Sequence, residues 1–504
     1  MDREALKKAR DGVLLVTPPV PSGDGRNLWL DDSMPHLGMA YLLAMLRQAE
    51  VPSALLDAGG FHLNTRDALA CIREVRPKLV ALTGASCQLT MIEGLVRAIR
   101  GALPDTRIML GGWHVTAAGA DTLEWMHDLD YTISGEGEQA IVDLWRAMEA
   151  GETEAALASV PGLTWRHSDG TLKANPRAWV HGSLDDLPFP EFEGFSLDYR
   201  PGLYGTLAGY SAIALPVTTS RGCPYGCEFC FRVTGRSFRK REIAEVVEEM
   251  KRGLRDYDAR VFYIVDETFS LHAKRTMALC EAIIESGLPK EVSWVCETRP
   301  DCVSAELVDA MARAGCKVIS YGIDTGNQDM QSAIGRKLDL AVAREAIERT
   351  AKRGIIVDTN FILGHPHETW STAMDTINYA LSIDAHLASF AVLVPFPGTD
   401  LIEKARAGDG LRLIESDWNG YDKQVGGACE PVDMTIQQVQ WLQRYAYLRF
   451  YMRPSRAPAV GRIFAALGPR NVATFMGRTV QTLLGHGAIS SAARVLRGQV
   501  RART

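Results

Sequence analysis

Short apolar runs alternate with helical stretches in two separate parts of the chain, and this alternation limits the fold more than any other feature. In the first part, residues 13–150, four strand-length runs are separated by stretches with apolar residues at three-to-four spacing. The runs lie at 13–17, 54–57, 79–83 and 108–110, and the helical stretches lie near 38–49, 65–75 and 90–102. Such alternation predicts a parallel sheet with helices on both faces. We therefore predict an α/β chain whose first domain, residues 1–150, is doubly wound and Rossmann-like.

The second part, residues 213–425, repeats the pattern with six strand-length runs separated by longer helices. These runs lie near 214–219, 261–265, 292–295, 318–322, 357–363 and 390–394. Right-handed crossovers between them predict a parallel (β/α)6 partial barrel. Residues 151–212 interrupt the pattern with a hairpin and a Pro-rich linker, and residues 426–504 form a C-terminal helical, basic region.

Three cysteines, Cys223, Cys227 and Cys230, follow the first run of the second part at C-x3-C-x2-C spacing. Three thiolates on one loop can hold three irons of a [4Fe–4S] cluster and leave the fourth iron open to a small ligand. A zinc site would need a fourth Cys or His, and the first His after the loop is His272. Packed free thiols are the other alternative, but Pro, Tyr, Gly and Glu lie between the cysteines and are not typical of a core segment. The spacing therefore favours a cluster.

Composition excludes several classes of protein. With 504 residues, 46% of them hydrophobic and 23% charged, the chain predicts two or three ordinary globular domains. A net charge of -6 gives no reason to expect nucleic acid as the main partner. Ten cysteines, three of them clustered, favour metal binding in a reducing compartment. The first twelve residues are charged and no run of eighteen apolar residues occurs, so we expect a cytoplasmic protein.

The end of the chain has the opposite charge. Residues 453–504 contain nine arginines and no Asp, Glu or Lys. One interpretation is a helical cap on the barrel whose arginines face water or acidic groups. The other is peripheral contact with anionic lipid, which would suit an isoprenoid or tetrapyrrole substrate.

Four motifs together resemble the cobalamin (B12)-dependent radical S-adenosylmethionine (SAM) family. They are the cysteine loop with Phe229 before its third cysteine, the acidic run 266–269, Gly-x-Pro-x-Glu-Thr at 364–369, and Pro-Phe-Pro-Gly-Thr at 395–399. In the first part, residues 111–116 and 134–138 resemble the last two strand-end loops of the family's cobalamin-binding domain. The resemblance covers about residues 13–425. The family includes class B methyltransferases and the anaerobic magnesium-protoporphyrin cyclase.

The resemblance implies three cofactors: a [4Fe–4S] cluster, SAM and cobalamin. Cys223, Cys227 and Cys230 are then the catalytic cluster ligands. Residues at the strand ends of the barrel are expected to hold SAM, together with Phe229: Asp266, Glu267, Glu297, Arg299, Asp324, Thr325, Gly364 and Pro395. Residues at the strand ends of the first domain are expected to hold cobalamin: Asp57, Ser86, Gly111, Gly112, His114, Gly135 and Glu136.

Two departures from familiar patterns qualify these expectations. Relatives commonly carry Glu where this chain has Asp324, which shortens the expected ribose contact. The Asp-x-His-x-x-Gly motif that supplies an imidazole to cobalt is absent, because the only Asp-x-His, at Asp384, lacks the Gly and lies in the other domain. We therefore expect cobalt without a protein imidazole, with His114 as the one remaining candidate.

The resemblance implies an enzyme that transfers a methyl group to an unactivated carbon of a small molecule, a lipid or a tetrapyrrole. One SAM would methylate cobalamin, and a second would be cleaved at the cluster to a radical that removes a substrate hydrogen. An oxidative cyclase or rearrangement enzyme is the alternative within the family, and a cobalamin-binding sensor without turnover is the alternative of another class. An electron donor such as flavodoxin or ferredoxin is the expected protein partner.

Overall fold

The computed structural model describes residues 1–19, 34–177, 183–197, 213–414, 418–424 and 426–454. Part of the predicted linker and almost all of the basic tail, 453–504, lie outside these residues. No helix in the described part is long and apolar enough to cross a membrane.

The first sheet contains seven strands. They are β1 (Val13–Val16), β2 (Ser53–Leu56), β3 (Leu79–Thr83), β4 (Arg107–Gly111), β5 (Tyr131–Ile133), β6 (Leu163–Arg166) and β7 (Leu172–Ala174). Their order is β2-β1-β3-β4-β5-β6-β7, with the first five parallel and the last two added as an antiparallel hairpin. Every residue of β1, β2, β3 and β5 is buried, as expected when helices cover both faces of a parallel sheet.

The described residues of this first part form seven α-helices. They are α1 (Arg3–Leu6), α2 (Leu37–Gln48), α3 (Thr65–Val75), α4 (Leu89–Ala102), α5 (Trp113–Trp125), α6 (Glu138–Glu149) and α7 (Glu154–Ala158). The chain order reverses between β1 and β3, so the carboxyl ends of these strands flank a crevice of the kind that binds ligands in doubly wound sheets. This is the predicted doubly wound architecture.

The second sheet contains six parallel strands. They are β8 (Ile213–Val217), β11 (Ala259–Ile264), β12 (Ser293–Thr298), β13 (Cys316–Asp324), β14 (Ile356–Leu363) and β15 (Leu387–Val392). Each strand pairs with the next in the chain, and β8 and β15 remain the two edges. The sheet is therefore the predicted partial barrel, open between its first and last strands. Its strand ends bring the cysteine loop and the other predicted loops to one rim.

Helices cover the outside of this barrel. They are α8 (Ile243–Tyr257), α9 (Ala273–Glu285), α10 (Ala305–Arg313), α11 (Gln328–Ala333), α12 (Leu340–Lys352), α13 (Trp370–Ser382), α14 (Asp400–Ala407) and α15 (Ile436–Tyr451). Two small antiparallel pairs complete the fold, β9 (Ser220–Arg221) with β10 (Arg239–Lys240), and β16 (Leu411–Leu413) with β17 (Cys429–Pro431). The first of these pairs brackets the cysteine loop.

Buried ion pairs join the first domain to the base of the cysteine loop. Arg221 donates to Glu136 at 3.0 Å and to Glu138 at 2.7 Å, and Arg239 donates to both carboxylate oxygens of Glu136 at 2.7 and 2.8 Å. The side chains of Arg221, Glu136 and Glu138 are 9%, 5% and 6% exposed. Because Arg221 and Arg239 are paired across the β9–β10 ladder, these carboxylates hold both sides of the loop base.

We expect Arg221→Met to lower the unfolding midpoint by the equivalent of about 3 kcal/mol, because it leaves the buried Glu138 carboxylate unpaired. Thermal unfolding followed by circular dichroism measures this change. Arg406→Met is the control, since the Arg406–Glu403 pair is exposed and should contribute little. Equal midpoints for the two variants would show that the buried pairs do not hold the domains together.

Candidate active site

The cysteine loop, residues 222–238, folds back on itself between β9 and β10. Gly222 has a φ of +94°, and a Cβ there would lie 2.0 Å from the carbonyl oxygen of Ser237, so only glycine fits. Two backbone hydrogen bonds fix the turn: Cys223 N donates to Gly235 O at 3.2 Å, and Cys230 N donates to Cys227 O at 3.3 Å. The loop is therefore shaped by its own backbone.

The three thiols of this loop fit an iron–sulfur cluster. Cys227 is 4% exposed, and Cys223 and Cys230 are partly buried. Burial, together with the nearby Cys227 and Cys223, raises the pKa of Cys230 to about 12, so the thiols need a bound cation to ionise together. Among the described residues no three His, Cys, Asp or Glu side chains are grouped to hold a single metal ion. A cluster does not require such a group, because each thiolate binds a different iron.

Asp266 supports the strand that leads into the loop. Its buried carboxylate accepts hydrogen bonds from Thr219 N at 2.6 Å, Thr219 Oγ1 at 2.5 Å, Ser220 Oγ at 2.6 Å and Thr218 Oγ1 at 3.3 Å. Burial nevertheless raises its pKa above the usual value. Because these donors all come from residues 218–220, the side chain holds the approach to the cysteines, and direct contact of Asp266 with SAM stays a prediction.

Glu267 reaches the loop directly. It accepts from Gly222 N at 3.2 Å and from the hydroxyl of Thr234, which lies on the other side of the loop. The carboxylate therefore ties the two sides together just before Cys223. Its side chain is also exposed, so part of it faces the open rim.

Two arginines lie against the loop, the buried Arg299 after β12 and the largely buried Arg336 after α11. The guanidinium of Arg299 lies 3.9 Å from the ring centre of Tyr225, pairs with Asp301 at 2.7 Å, and donates to Arg336 O at 3.3 Å. Arg336 lies 2.8 Å from Asp324 through Nε and 3.8 Å from the Cys227 sulfur through Nη1. A cation close to a predicted cluster ligand is thus a residue that the motifs did not indicate.

Asp324 is held in an uncommon backbone conformation. Its φ is +69°, next to a register shift between Gly322 and Asp324 in β13. The Arg336 guanidinium pairs with its buried carboxylate and also donates to Gly322 O. The buried carboxylate of Asp324 is therefore paired with a cation at the rim.

The remaining barrel predictions fall in different environments. Glu297 is exposed and lies two residues beyond Val295, on the face that carries the small apolar cluster of β8, β11, β12 and β13. Thr325 is buried, and its hydroxyl lies 3.1 Å from that of Thr376 in α13. Pro395 lies in the loop after β15. Glu297 therefore faces the rim, whereas the Thr325 hydroxyl faces a helix.

The backbone of Gly364 lies against a second buried carboxylate, that of Glu368, and the ring of Phe229 lies beside the neighbouring His365. Gly364 has a φ of +96°, and its N–H donates to Glu368, which also accepts from His365 N at 3.3 Å. Burial raises the pKa of Glu368 to about 7 despite these donors. The ring of Phe229 lies 5.8 Å from the buried His365 ring. These contacts place the Gly-x-Pro-x-Glu-Thr loop beside the cysteine loop.

The carboxyl edge of the first sheet offers a cradle of small residues. Gly112 has a φ of +95°, and a Cβ there would lie 2.6 Å from Thr83 Oγ1; a Cβ at Gly119 would lie 2.5 Å from Ser134 Oγ. Trp113, beside Gly112 and Gly111, is 64% exposed. The glycines let neighbouring segments of this edge pack closely, and Trp113 adds an open aromatic surface of the kind that fits a large flat cofactor such as cobalamin.

His114 is buried at this edge. Its Nδ1 lies 2.9 Å from Ser86 Oγ, its ring packs 4.6 Å from that of Trp418, and burial lowers its pKa to about 4. The imidazole is therefore neutral and covered by a residue from the far end of the chain. This arrangement agrees with a packing role for His114, and cobalt without a protein imidazole stays a prediction.

The other predicted cobalamin residues make contacts within the protein. Asp57 accepts from Thr17 Oγ1 at 2.8 Å, from Gly60 N at 3.2 Å and from Ser196 N at 3.1 Å. Gly135 N donates to Thr116 Oγ1 at 3.2 Å. Glu136 belongs to the interdomain ion pairs described above. Asp57 and Glu136 therefore connect segments of the protein at this edge.

Comparison with known proteins identifies both parts of the chain. The model described as the radical SAM superfamily matches residues 217–380, and the model described as the B12 binding domain matches residues 30–144. The chain belongs to the B12-binding radical SAM family. This membership confirms the predicted fold and the three predicted cofactors, and it makes the chain an enzyme of the radical SAM type.

Relatives of this radical SAM protein extend over most of its length. An uncharacterized methyltransferase of Pyrococcus horikoshii is 27% identical over 88% of this chain and 93% of its own. The anaerobic magnesium-protoporphyrin IX monomethyl ester cyclase of Cereibacter sphaeroides is 26% identical over 88% of this chain and 70% of its own. The solved methyltransferase TsrM of Kitasatospora setae, with cobalamin and a [4Fe–4S] cluster bound, has a TM-score of 0.66 at 18% identity, covering 92% of this chain and 90% of its own.

Arg336 and Trp418 lie outside the motifs that the sequence offers. Arg221, Glu138 and His365 lie in or next to those motifs, but their contacts with segments far apart in the chain were not predicted. A single arginine after a short helix, or a tryptophan in the connection between β16 and β17, carries no local pattern that would identify it.

We expect Arg336→Gln to lower the midpoint potential of the cluster, because it removes a cation that stabilises the more negative reduced form. A redox titration followed by electron paramagnetic resonance measures the potential. Arg353→Gln is the control, since Arg353 pairs with Asp309 at the surface. Combining Arg336→Gln with Asp324→Asn should recover part of the shift, and an unchanged potential in Arg336→Gln would contradict the assignment.

We expect Glu368→Gln to remove a pH dependence of stability. The carboxyl titrates at about 7 in the folded protein against an ordinary value of 4.5, so the folded state holds the proton more tightly. Wild-type stability should therefore decrease as the pH rises through this window, whereas Gln does not titrate. Unfolding midpoints of both proteins across the window measure the difference. If the difference in unfolding midpoint between the wild type and Glu368→Gln stayed constant with pH, the raised pKa of Glu368 would be contradicted.

Proposed function

We propose that this chain is a cobalamin-dependent radical SAM methyltransferase that acts on an unactivated carbon of a small molecule. The observation that carries the proposal is the contact between the predicted cluster loop and the predicted cobalamin domain. A Cβ at Gly398 would lie 2.7 Å from the ring of Phe231 and 3.0 Å from Ala117. The cysteine loop, the loop after β15 and α5 therefore meet at one point.

Methyl transfer of this kind needs both cofactors close to one substrate carbon. When bound, the cluster and SAM supply a radical that removes a hydrogen atom, and cobalamin supplies the methyl group. Cys223, Cys227 and Cys230 would hold the cluster, and Asp266 and Glu267 would orient their loop. Arg221 and Arg239 would fix that loop against the first domain through Glu136. The protein's own part is thus to hold the two sites in a fixed relation.

At the rim, Glu297 is our candidate for contact with the cationic end of SAM, because its side chain is exposed on the inner side of the strand ends. Phe229, Arg299, Asp324, Gly364 and Pro395 surround the same rim and remain predicted SAM contacts. Ser86, Gly111, Gly112 and Gly135 remain predicted cobalamin contacts. The Thr325 hydroxyl faces α13 and would need to turn to meet a ribose.

The relatives favour methyl transfer over cyclisation. The Pyrococcus horikoshii methyltransferase matches 93% of its own length, whereas the cyclase matches 70%. A sensor without turnover is less consistent with an intact cysteine loop whose base is tied to the first domain by ion pairs. A small-molecule substrate follows from this reading. A flavodoxin or ferredoxin as electron donor, lipid contact through residues 453–504, and a cytoplasmic location remain predictions, as do the domain limits at 150, 212 and 425.

We expect Cys223→Ala, Cys227→Ala and Cys230→Ala each to abolish cluster absorbance and the formation of 5'-deoxyadenosine, because each thiolate is needed at its own iron. Anaerobic absorption spectra and product chromatography measure both. Cys71→Ala is the control, since Cys71 is buried in the first domain away from the loop. Full SAM cleavage in a loop variant would contradict the cluster assignment.

Mass spectrometry of candidate substrates distinguishes the two reactions. A mass gain of one CH2 group supports methyl transfer, and a loss of hydrogen without added carbon supports cyclisation. SAM consumption with neither product, in protein that holds both cofactors, would favour the sensor.

A further inference from the structure

The last described helix, α15, carries an exposed apolar stripe on its outer side. Trp441, Tyr445, Leu448 and Met452 follow one another at helical spacing and therefore lie on one face. Trp441 is 48% exposed, Leu448 40% and Met452 76%. Trp370, at the start of α13, is 43% exposed and stacks on Trp441 with 5.3 Å between ring centres. We call these five residues the α15 outer face.

In the described residues, Tyr445 is partly buried against the core, whereas Trp441, Leu448 and Met452 of this face remain exposed. The opposite side of α15 buries Val439, Leu442, Ala446 and Phe450 completely against the barrel. In addition, the hydroxyl of Tyr447 accepts from Phe390 N at 3.1 Å. The helix is thus firmly seated by its inner side. Aromatic and apolar side chains on its outer side are then available to a partner.

The charge around the face selects the kind of partner. Although the chain has a net charge of -6, no Asp or Glu occurs from Ile436 to Thr504. Arg444 and Arg449 lie on α15 itself, and the guanidinium of Arg449 lies 5.5 Å from the ring centre of Tyr445. Tryptophan and tyrosine next to arginine are typical of a surface that lies at a lipid headgroup layer. A symmetric pair of chains is disfavoured, because it would place this cationic face against its own copy.

The Trp end of the face lies at the rim of the barrel. Trp370 directly follows the 364–369 loop at the carboxyl end of β14, and a Cβ at Gly364 would lie 3.3 Å from Val439 of α15. Active sites of parallel barrels are built at this rim. A lipid surface in contact with the face would therefore lie beside the opening of the barrel.

We propose that the α15 outer face binds the surface of a membrane that contains anionic lipids. Trp441, Tyr445, Leu448 and Met452 enter the headgroup region, and Arg444 and Arg449 contact lipid phosphates. The binding involves no covalent step, and it does not depend on which reaction the barrel catalyses.

Flotation of the full chain with vesicles tests this proposal. Vesicles of phosphatidylcholine with and without phosphatidylglycerol are used at low ionic strength. The wild type should float with the anionic vesicles and not with the neutral ones. Leu448→Gln and Trp441→Gln should each weaken binding about tenfold, as expected for losing one inserted apolar side chain. Arg449→Gln should weaken vesicle binding by less than tenfold. Raising the ionic strength should abolish the difference in binding between Arg449→Gln and the wild type.

Leu413→Gln is the matched control, because Leu413 is 41% exposed on β16 and lies outside the face. It should float as the wild type does. Cluster absorbance and SAM cleavage should be unchanged in the α15 variants, so that a failure of lipid binding is distinct from a failure of the proposed function. Unchanged flotation of Leu448→Gln and Trp441→Gln overturns the proposal, as would a wild-type dimer that these substitutions dissociate in light scattering.

Discussion

The buried ion pairs of Glu136 and Glu138 with Arg221 and Arg239 fix the relation between the two halves of this protein. Each arginine lies at the base of the cysteine loop, and each carboxylate follows the last parallel strand of the first sheet. Charges removed from water are tolerated only when they are paired, so both halves must come together in one register. Apolar contact alone would allow the two halves to slide against each other. The ionic contact instead ties the predicted cluster to the edge where the predicted cobalamin site lies.

A second level of organisation holds the loop from beneath. The carboxylate of Asp266 accepts hydrogen bonds from residues 218–220, and that of Glu267 joins the two sides of the loop. The guanidinium of Arg299 stacks on the ring of Tyr225. Residues that the motifs offer as SAM ligands are therefore largely occupied in positioning the cysteines. Such support keeps the thiols in place before any cofactor binds and reduces the cost of reorganisation.

An aromatic connection completes the link between the halves. Trp418 contacts His114 and Trp125 of the first domain and lies 4.9 Å from Tyr421, which in turn approaches Phe396 in the loop after β15. The segment 418–421 thereby covers one side of the first sheet's carboxyl edge and reaches the barrel rim. Burial of these rings adds apolar contact to the ion pairs, and it leaves His114 neutral and shielded.

The sequence alone determined the two α/β units, the six barrel strands, the cysteine loop and the family, because hydrophobic period and cysteine spacing are local properties of the chain. It also indicated which strand ends gather at each rim, since parallel strands place their carboxyl ends at one edge. Only the tertiary structure decided what those residues do there. Glu136 pairs with Arg221, the Thr325 hydroxyl faces α13, and Arg336 approaches Cys227. Each of these contacts joins segments up to about a hundred residues apart in the chain, and its effect on charge depends on the desolvation that comes with burial. A local sequence pattern contains neither the long-range contact nor the burial.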